Sequence, residues 1–355
     1  MKKIVIIGGG AAGYFTAINA KESNPDLEVT ILEKGKDVLQ KVKISGGGRC
    51  NVTHACFEPK ELVKFYPRGE KELLGPFHQF MTGDTFEWFD DRGVPLKIEG
   101  DNRVFPEANT SQAIIDCFQK SVDTLGIKVL TNHGVNTVTK QDDTWSIHTK
   151  EQVFEADQLV IAAGSSKKVW ELCETLDHAV VAPVPSLFTF NINDKRLVDL
   201  LGTSVPNATV TISGTKLEAS GPLLITHWGM SGPAVLKLSA FGARILADKH
   251  YQYNVEVNWL SRPTDKVLNV LLNLKKKEPR KTVILKSPFT EVSRRLWERF
   301  VLFSDISKTQ NWADLNNAQL EKLANQLTKG IYNANGRTTF KEEFVTAGGV
   351  DLKEI

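Results

Sequence analysis

Four consecutive branched apolar residues, Ile4–Ile7, run straight into Gly8-Gly9-Gly10-Ala11-Ala12-Gly13. An unbroken apolar run of this length suits a strand covered on both faces, as in a parallel sheet, and the glycines mark a tight turn out of it. Ala11 to Lys21 then carries Ala, Tyr, Phe and Ile on nearly every side, which predicts a helix packed into a large core. Asn24-Pro25-Asp26 turns the chain, and Glu28–Glu33 returns as a second strand. Further along, Gly83–Asp91 reads as helical, and Ser111–Leu125 places Ile114, Ile115, Phe118 and Val122 at helical spacing. Gly126–Leu130, Gly134–Val138 and Thr144–Thr149 read as short strands, and Asp157–Gly164 as a buried strand ending in a glycine turn.

Pro183-Val184-Pro185 marks a boundary, after which the period changes. Tyr251, Tyr253, Val255, Val257 and Trp259 alternate with polar residues, the pattern of a half-buried antiparallel strand. Ser186–Ile192, Asn207–Ser213 and Leu223–Thr226 are weaker candidates for the same sheet. Ser231-Gly232-Pro233 starts a helix expected to run to about Asp248, with proline in its first turn. From Arg262 to Gly330 the pattern is helical, with stripes at Val267, Leu268, Leu271 and Leu272, at Val292, Leu296, Trp297 and Phe300, and at Leu320, Leu323, Ala324 and Leu327. Gly336 to Val350 returns to extended structure. The pattern therefore suggests an α/β domain over 1–182, a β-barrel-like or antiparallel second domain over 183–260 and a helical stretch after it.

The first turn has a chemical reading. Gly8 permits the turn, Gly10 lets the backbone approach a pyrophosphate, and Gly13 lets the helix lie close to the strand. The helix N-terminal amides and dipole then face the phosphates, while Glu33 accepts from ribose hydroxyls and repels a 2′-phosphate. A doubly wound domain whose loop merely turns is the alternative. Ser45-Gly46-Gly47-Gly48-Arg49-Cys50-Asn51 is the second informative segment. Its glycines leave amides open to a phosphate or a flat ring, Arg49 adds a cation and Asn51 a bifunctional amide. It lacks the Gly-Lys-Ser/Thr ending of a nucleotide-triphosphate loop, and no second GxGxxG occurs, which argues against a reductase with two dinucleotide domains.

Composition adds bounds. In 355 residues with 41% hydrophobic and 24% charged, the net charge is +2, too balanced to argue for nucleic acid or an anionic membrane. The run Lys275-Lys276-Lys277 with Arg280, Lys281 and Lys286 lacks interleaved aromatics and reads as a solvated helix end. No stretch approaches the ~20 apolar residues of a membrane span, and the N-terminal strand lacks a signal peptide's pattern, so a cytoplasmic location is expected. Cys50, Cys56, Cys117 and Cys173 show no metal-ligand spacing, so reduced thiols and no metal site are expected. Cys50 reads either as a small buried residue or as a redox group.

Gly8–Gly13 with Glu33, Lys43–Asn51, Asn102-Arg-Val-Phe-Pro106, Ile161-Ala-Ala-Gly164, Leu224–Pro233 and Val345-Thr-Ala-Gly-Gly-Val350 together resemble the signatures of the bacterial BaiN-like (YhiN-like) flavoproteins, a family that includes aminoacetone oxidases and reductases of bile-acid intermediates. The resemblance runs from the first strand to the last residue. It implies FAD and a Rossmann-like FAD-binding domain over 1–182 plus 345–355, interrupted by a β-barrel-like domain over 183–260 plus 331–344 and a helical insertion over 261–330. It assigns Gly8, Gly10, Ala11, Ala12 and Gly13 to the pyrophosphate and Glu33, with Lys34 nearby, to the adenosine ribose. Lys43 and Ser45, Gly46, Gly47, Gly48, Arg49, Cys50 and Asn51 would run toward the flavin. Val135 would contact adenine through its backbone, and Ala162, Ala163 and Gly164 would pass the adenosine half. Thr226-His227-Trp228-Gly229 would sit at the seam between domains, with His227 the candidate for substrate polarisation or proton transfer. Trp228 could wall a substrate pocket, and Arg103 could bind a substrate anion or form a structural ion pair. Family members continue past the Gly348-Gly349-Val350 strand into a segment that closes over the flavin, whereas this sequence runs to Ile355, so the expectation is a truncated form, an omitted tail or a cofactor site that lacks that half. The expected function is an FAD-dependent oxidoreductase moving a hydride to or from flavin N5 on a small organic molecule. A flavin-binding protein with little or no turnover is the alternative, and a flavin-dependent RNA-modifying protein a further one; no nucleic-acid or membrane partner is expected.

Overall fold

A computed structural model describes residues 1–338 and 345–354. The chain forms two compact units, the first made of residues 1–182 and 348–355 and the second of residues 183–347.

In the first unit, β1 (Lys3–Ile7) leads through Gly8–Gly10 into helix α1 (Ala11–Ser23), which returns to β2 (Glu28–Leu32). The sheet is parallel, in the order Gln158–Ile161, β1, β2, Lys128–Leu130. The apolar run of β1 is explained by its two faces. Ile4 and Ile6 pack with Tyr14, Ile18 and Phe118 beneath α1 and the helix Ser111–Thr124, while Val5 and Ile7 pack with Leu32, Val138 and Ile147 on the other side. That second face is covered by an antiparallel meander of Thr137–Gln141, Thr144–His148 and Val153–Ala156. Gln158–Ile161 is not the buried strand its composition suggests. Among the described residues it lies at the edge of the sheet, paired on one side only, and Ile161 is 37% exposed. A separate antiparallel sheet joins Thr53–His54, Arg103–Pro106 and Leu96–Ile98.

The second unit contains a closed antiparallel barrel of six strands, ordered Thr189–Ile192, Gly229–Ser231, Glu218–Thr226, Ser204–Ile212, Gln252–Asn258 and Gly330–Thr338. Alternation in Gln252–Asn258 puts Tyr253, Val255 and Val257 inside. The helix expected from Pro233 to Asp248 is broken at Gly242 (φ −88°, ψ 5°) into Pro233–Phe241 and Ala243–Asp248, and a Cβ at Gly242 would lie 2.7 Å from Leu217, so the close approach there suits glycine. Helices Thr264–Lys277, Arg294–Leu302 and Asn317–Thr328 share the barrel's core. Trp259 joins them, its ring 5.5 Å from Phe300 and 5.9 Å from Tyr332, and its indole N–H donates to the Tyr332 hydroxyl at 3.1 Å. Of the extended segment expected over 336–350, Val345–Val350 is a strand, and residues 339–344 lie outside the described residues.

Candidate dinucleotide site

The sheet changes direction of winding at β1. Its α1 crossover leads to β2 on one side, while Gln158–Ile161 arrives on the other, so a crevice opens at the carboxyl ends of β1 and Gln158–Ile161. Gly8 and Ala162–Gly164 occupy these ends. Gly8 has φ +118°, and a Cβ there would lie 2.4 Å from the Ala162 carbonyl oxygen. A Cβ on Gly13 would lie 2.0 Å from the Gly8 carbonyl oxygen. The two glycines therefore set how closely the loop, α1 and the neighbouring strand can approach.

Gly10 differs, because a Cβ there would meet no atom within 4 Å. It is the N-cap of α1 and offers no side-chain cap, and the first amide to donate within the helix is that of Tyr14, to the Gly10 carbonyl at 3.1 Å. The amides of Ala11, Ala12 and Gly13 thus have no partner among the described residues, as at any uncapped helix start, and lie at the positive end of its dipole. Beneath them Tyr14 is buried against Phe118, its hydroxyl pKa pushed up to about 12 by burial and by the Asp123 and Glu33 carboxylates.

Two hollows flank this loop. One, of about 190 Å³, is lined by Ile7, Gly8, Leu32, Glu33, Lys34, His133, Gly134, Val135, Ala163, Ser166, Lys168 and Val169. Glu33 is fixed within it by two amides, Gly9 N–H donating to Oε2 and Gly35 N–H to Oε1, each at 2.8 Å. Each carboxylate oxygen keeps a second lone pair for a hydroxyl. Lys34 is exposed and packs near Gly134, and the main-chain amide and carbonyl of Val135 have no partner among the described residues. The other hollow, about 480 Å³, is lined by Ala11, Ala12, Phe15, Lys41, Val42, Ser45, Cys50, Asn51, Val52, Phe80, Thr85, Phe89, Ile114 and Phe118. Phe15 forms its aromatic wall, 5.1 Å from Phe80 and 5.3 Å from Trp88. An extended two-ended ligand laid across Gly8–Ala12 would thus meet a carboxylate and free backbone at one end and a mostly apolar cleft at the other.

The Ser45–Asn51 segment is shaped by its glycines. Helix α2 (Gln40–Gly48) loses helical geometry at Ser45–Gly47, and Gly46, Gly47 and Gly48 all have positive φ. Gly47 and Gly48 face open space, whereas Gly46 backs against Asn51 and Phe105. Lys43 is exposed, and its carbonyl accepts from the Ser111 hydroxyl at 2.8 Å. The Arg49 guanidinium is already engaged: it donates to Glu99 at 2.6 Å and lies 3.9 Å over the Phe105 ring. Asn51 accepts from the Val104 amide at 3.3 Å. Cys50 is buried with φ +62°, and burial pushes its thiol pKa up, which keeps it protonated and favours the packing role over a thiolate. Arg103 forms an ion pair with Asp101 at 2.7 Å, the structural alternative among its two readings. Gly164 has φ +57° and is exposed at the rim, next to Lys41.

His227 and Trp228 belong to the second unit, where they form the exposed turn between Glu218–Thr226 and Gly229–Ser231. The Trp228 amide donates to the Thr226 hydroxyl at 3.3 Å, its carbonyl accepts from Ile192 at 2.8 Å, and its side chain is 55% exposed. Lining residues absent from the sequence reading include Phe15, Phe80, Thr85, His133, Ser166 and Lys168. Of these only Phe15 carried a signal, as an aromatic in the first two turns after the glycine loop.

Comparison with known proteins bears on this geometry. The description "HI0933-like protein Rossmann domain" matches residues 2–355. The chain is 24% identical to the 3-dehydro-bile acid delta(4,6)-reductase of Clostridium scindens, over 100% of this chain and 88% of that protein. It is 25% identical to the ribosomal RNA dihydrouridine synthase of Haemophilus influenzae and 26% identical to that of Escherichia coli, each over 99% of this chain and 86% of the relative. The BaiN-like motifs and the fold agree with this match over the whole chain, and the protein belongs to the HI0933-like Rossmann family of FAD-dependent flavoproteins.

Proposed function

We propose that this protein binds FAD in the β1–α1 crevice and reduces a carbon–carbon double bond conjugated to a carbonyl. The observation that carries the reading is the open Gly10 turn, with three unsatisfied amides of α1 set between the Glu33 hollow and the apolar cleft. Those amides would hold the pyrophosphate, Glu33 the ribose hydroxyls and Val135 the adenine edge, leaving the cleft of Phe15, Cys50 and Phe80 for the flavin side. Bound there, FAD would supply hydride transfer at its N5, for which protein groups provide position, electrostatics and exclusion of water. The apolar walls of Phe15, Val42, Phe89 and Phe118 would exclude water from the transfer. Completing the addition takes one proton, delivered to the carbon next to the carbonyl. Support for reduction of a double bond comes from the names of the three relatives, which all describe hydrogen added across one.

The test is anaerobic. Protein loaded with FAD and supplied with a nicotinamide reductant should consume it in the presence of an enone or of uridine-containing RNA, with the reduced product found by mass spectrometry. Reduction of the flavin by an amine, with neither acceptor consumed, would overturn the reductase reading.

A further inference from the structure

The balanced charge of the whole chain hides an uneven distribution. Residues 261–330 contain fourteen lysines and arginines against seven acidic residues, a net +7, while the other 285 residues contain thirty against thirty-five, a net −5. Within that helical segment the acids are mostly spent. Arg262 pairs with Glu291, Lys281 with Glu278, Arg294 with Glu298 and Lys322 with Asp305. Lys276, Lys277, Arg280, Lys286 and Lys308 are exposed and have no acidic partner among the described residues.

One short backbone pairing carries these cations at its two ends. Lys276 and Lys277 end the helix Thr264–Lys277, whose neighbour Lys275 is tied by its ammonium group to the Leu315 carbonyl. The following residues pair with 310–313: Ala313 N–H donates to Pro279, Trp312 to Lys281, and Val283 to Gln310, each at 3.0 Å. Thr282 and Asn311 form the antiparallel bridge between them. Lys286 and Lys308 leave this pairing from the same end. Lys276, Lys277 and Arg280 lie at the other.

We propose that Lys276, Lys277, Arg280, Lys286 and Lys308 form a docking surface for the phosphate backbone of RNA. Unpaired, exposed cations on a fixed frame suit a polyanion, because each phosphate they neutralise releases condensed counterions. A bilayer-binding helix turns a broad apolar face outward; here Val267 and Leu271 of the same helix are buried in the core, and Val270 and Leu285 are the exposed apolar residues beside the cations, too little for such a face. RNA rather than DNA rests on the proposed reduction: uracil carries a conjugated C5=C6 bond beside its C4 carbonyl. The aromatics whose absence from the basic run favoured a solvated helix end are needed to stack bases but not to hold phosphates.

The test is fluorescence anisotropy of the FAD-loaded protein with a labelled RNA hairpin across a sodium chloride series. The salt slope should be steep, and K276E/K277E/R280E/K286E should flatten it by about 3 to 4 log units per decade of salt, near one per lost contact. K276Q/K277Q, which removes charge without reversal, should flatten it by about 2. K60E/K150E, reversals in the first unit, should leave it unchanged, and circular dichroism checks that each variant is folded. RNA affinity and slope unaltered in both surface variants would overturn the proposal, as would equally tight binding of wild-type protein to phosphatidylglycerol vesicles. Flavin retention reads the other proposal separately. Salt-sensitive RNA binding by a protein that holds no FAD would sink the reductase reading and leave this surface standing; FAD retention without RNA binding would do the reverse.

Discussion

Two neighbouring glycines should fail in opposite ways when each is replaced by alanine. At Gly13 the new methyl would lie 2.0 Å from the Gly8 carbonyl oxygen, and both partners are backbone, so no side-chain rotation relieves the overlap. Helix α1 would have to lift from β1, separating Tyr14 and Ile18 from Ile4 and Ile6; overpacking costs about 1–3 kcal/mol, and a rigid clash belongs at or above the upper end. At Gly10 the methyl meets nothing within 4 Å, and φ −92°, ψ −174° suit any residue. Folding should lose only about 0.5–1 kcal/mol, as for alanine at an N-cap. The same methyl, however, occupies the space through which a pyrophosphate reaches the Ala11–Gly13 amides. Loss of one or two charge-assisted bonds at about 1.5–3 kcal/mol each gives a weakening of about 3 kcal/mol, near a hundredfold in FAD affinity. Urea unfolding of the apoprotein gives the first quantity and quenching of flavin fluorescence on titration gives the second. Gly10→Ala binding FAD as tightly as wild type would refute the phosphate cradle, and Gly13→Ala unfolding at the wild-type urea concentration would refute the packing argument.

Glu33→Gln keeps the shape of the side chain but turns an acceptor toward one of the Gly9 and Gly35 amides into an NH₂ group; FAD affinity should fall at least tenfold, about 1–3 kcal/mol, by the same titration. Phe300→Ala should remove about 3–5 kcal/mol, and because Phe300 packs on Trp259 the barrel and helices of the second unit should unfold in one transition at lower temperature, read by tryptophan fluorescence. Separate transitions for barrel and helices would refute the shared core. Burial raises the Asp194 carboxyl pKa, but hydrogen bonds from Arg196 outweigh it and hold it below the ordinary 3.8. Its stabilisation is therefore present above that value and lost as pH falls through the lowered pKa, so Asp194→Asn should flatten the acid limb of stability measured by urea unfolding.

What could be read from the sequence was local. The strand, glycine turn, helix and Glu33 lie within about one βαβ half-unit, and the spacing of apolar residues carries them. The barrel is different: its closure pairs Thr189–Ile192 with Gly330–Thr338, a contact no local pattern encodes. The helix Glu70–Gln79 was missed because Gly75-Pro76 interrupts its signal. Arg49 looked like a free cation because Glu99, which neutralises it, is fifty residues away. The edge position of Gln158–Ile161 was hidden because composition reports apolar character and not neighbours. Whole-chain net charge likewise averaged away the +7 of residues 261–330.

The most direct test of the account is the visible spectrum of purified protein incubated with FAD and then freed of unbound cofactor. The crevice of Gly8–Gly13 and Glu33, with the cleft beside Ser45–Asn51, predicts the yellow flavin band at close to one FAD per chain, and its loss in Gly10→Ala. A protein that stays colourless, or a Gly10→Ala variant that retains flavin as fully as wild type, would contradict it.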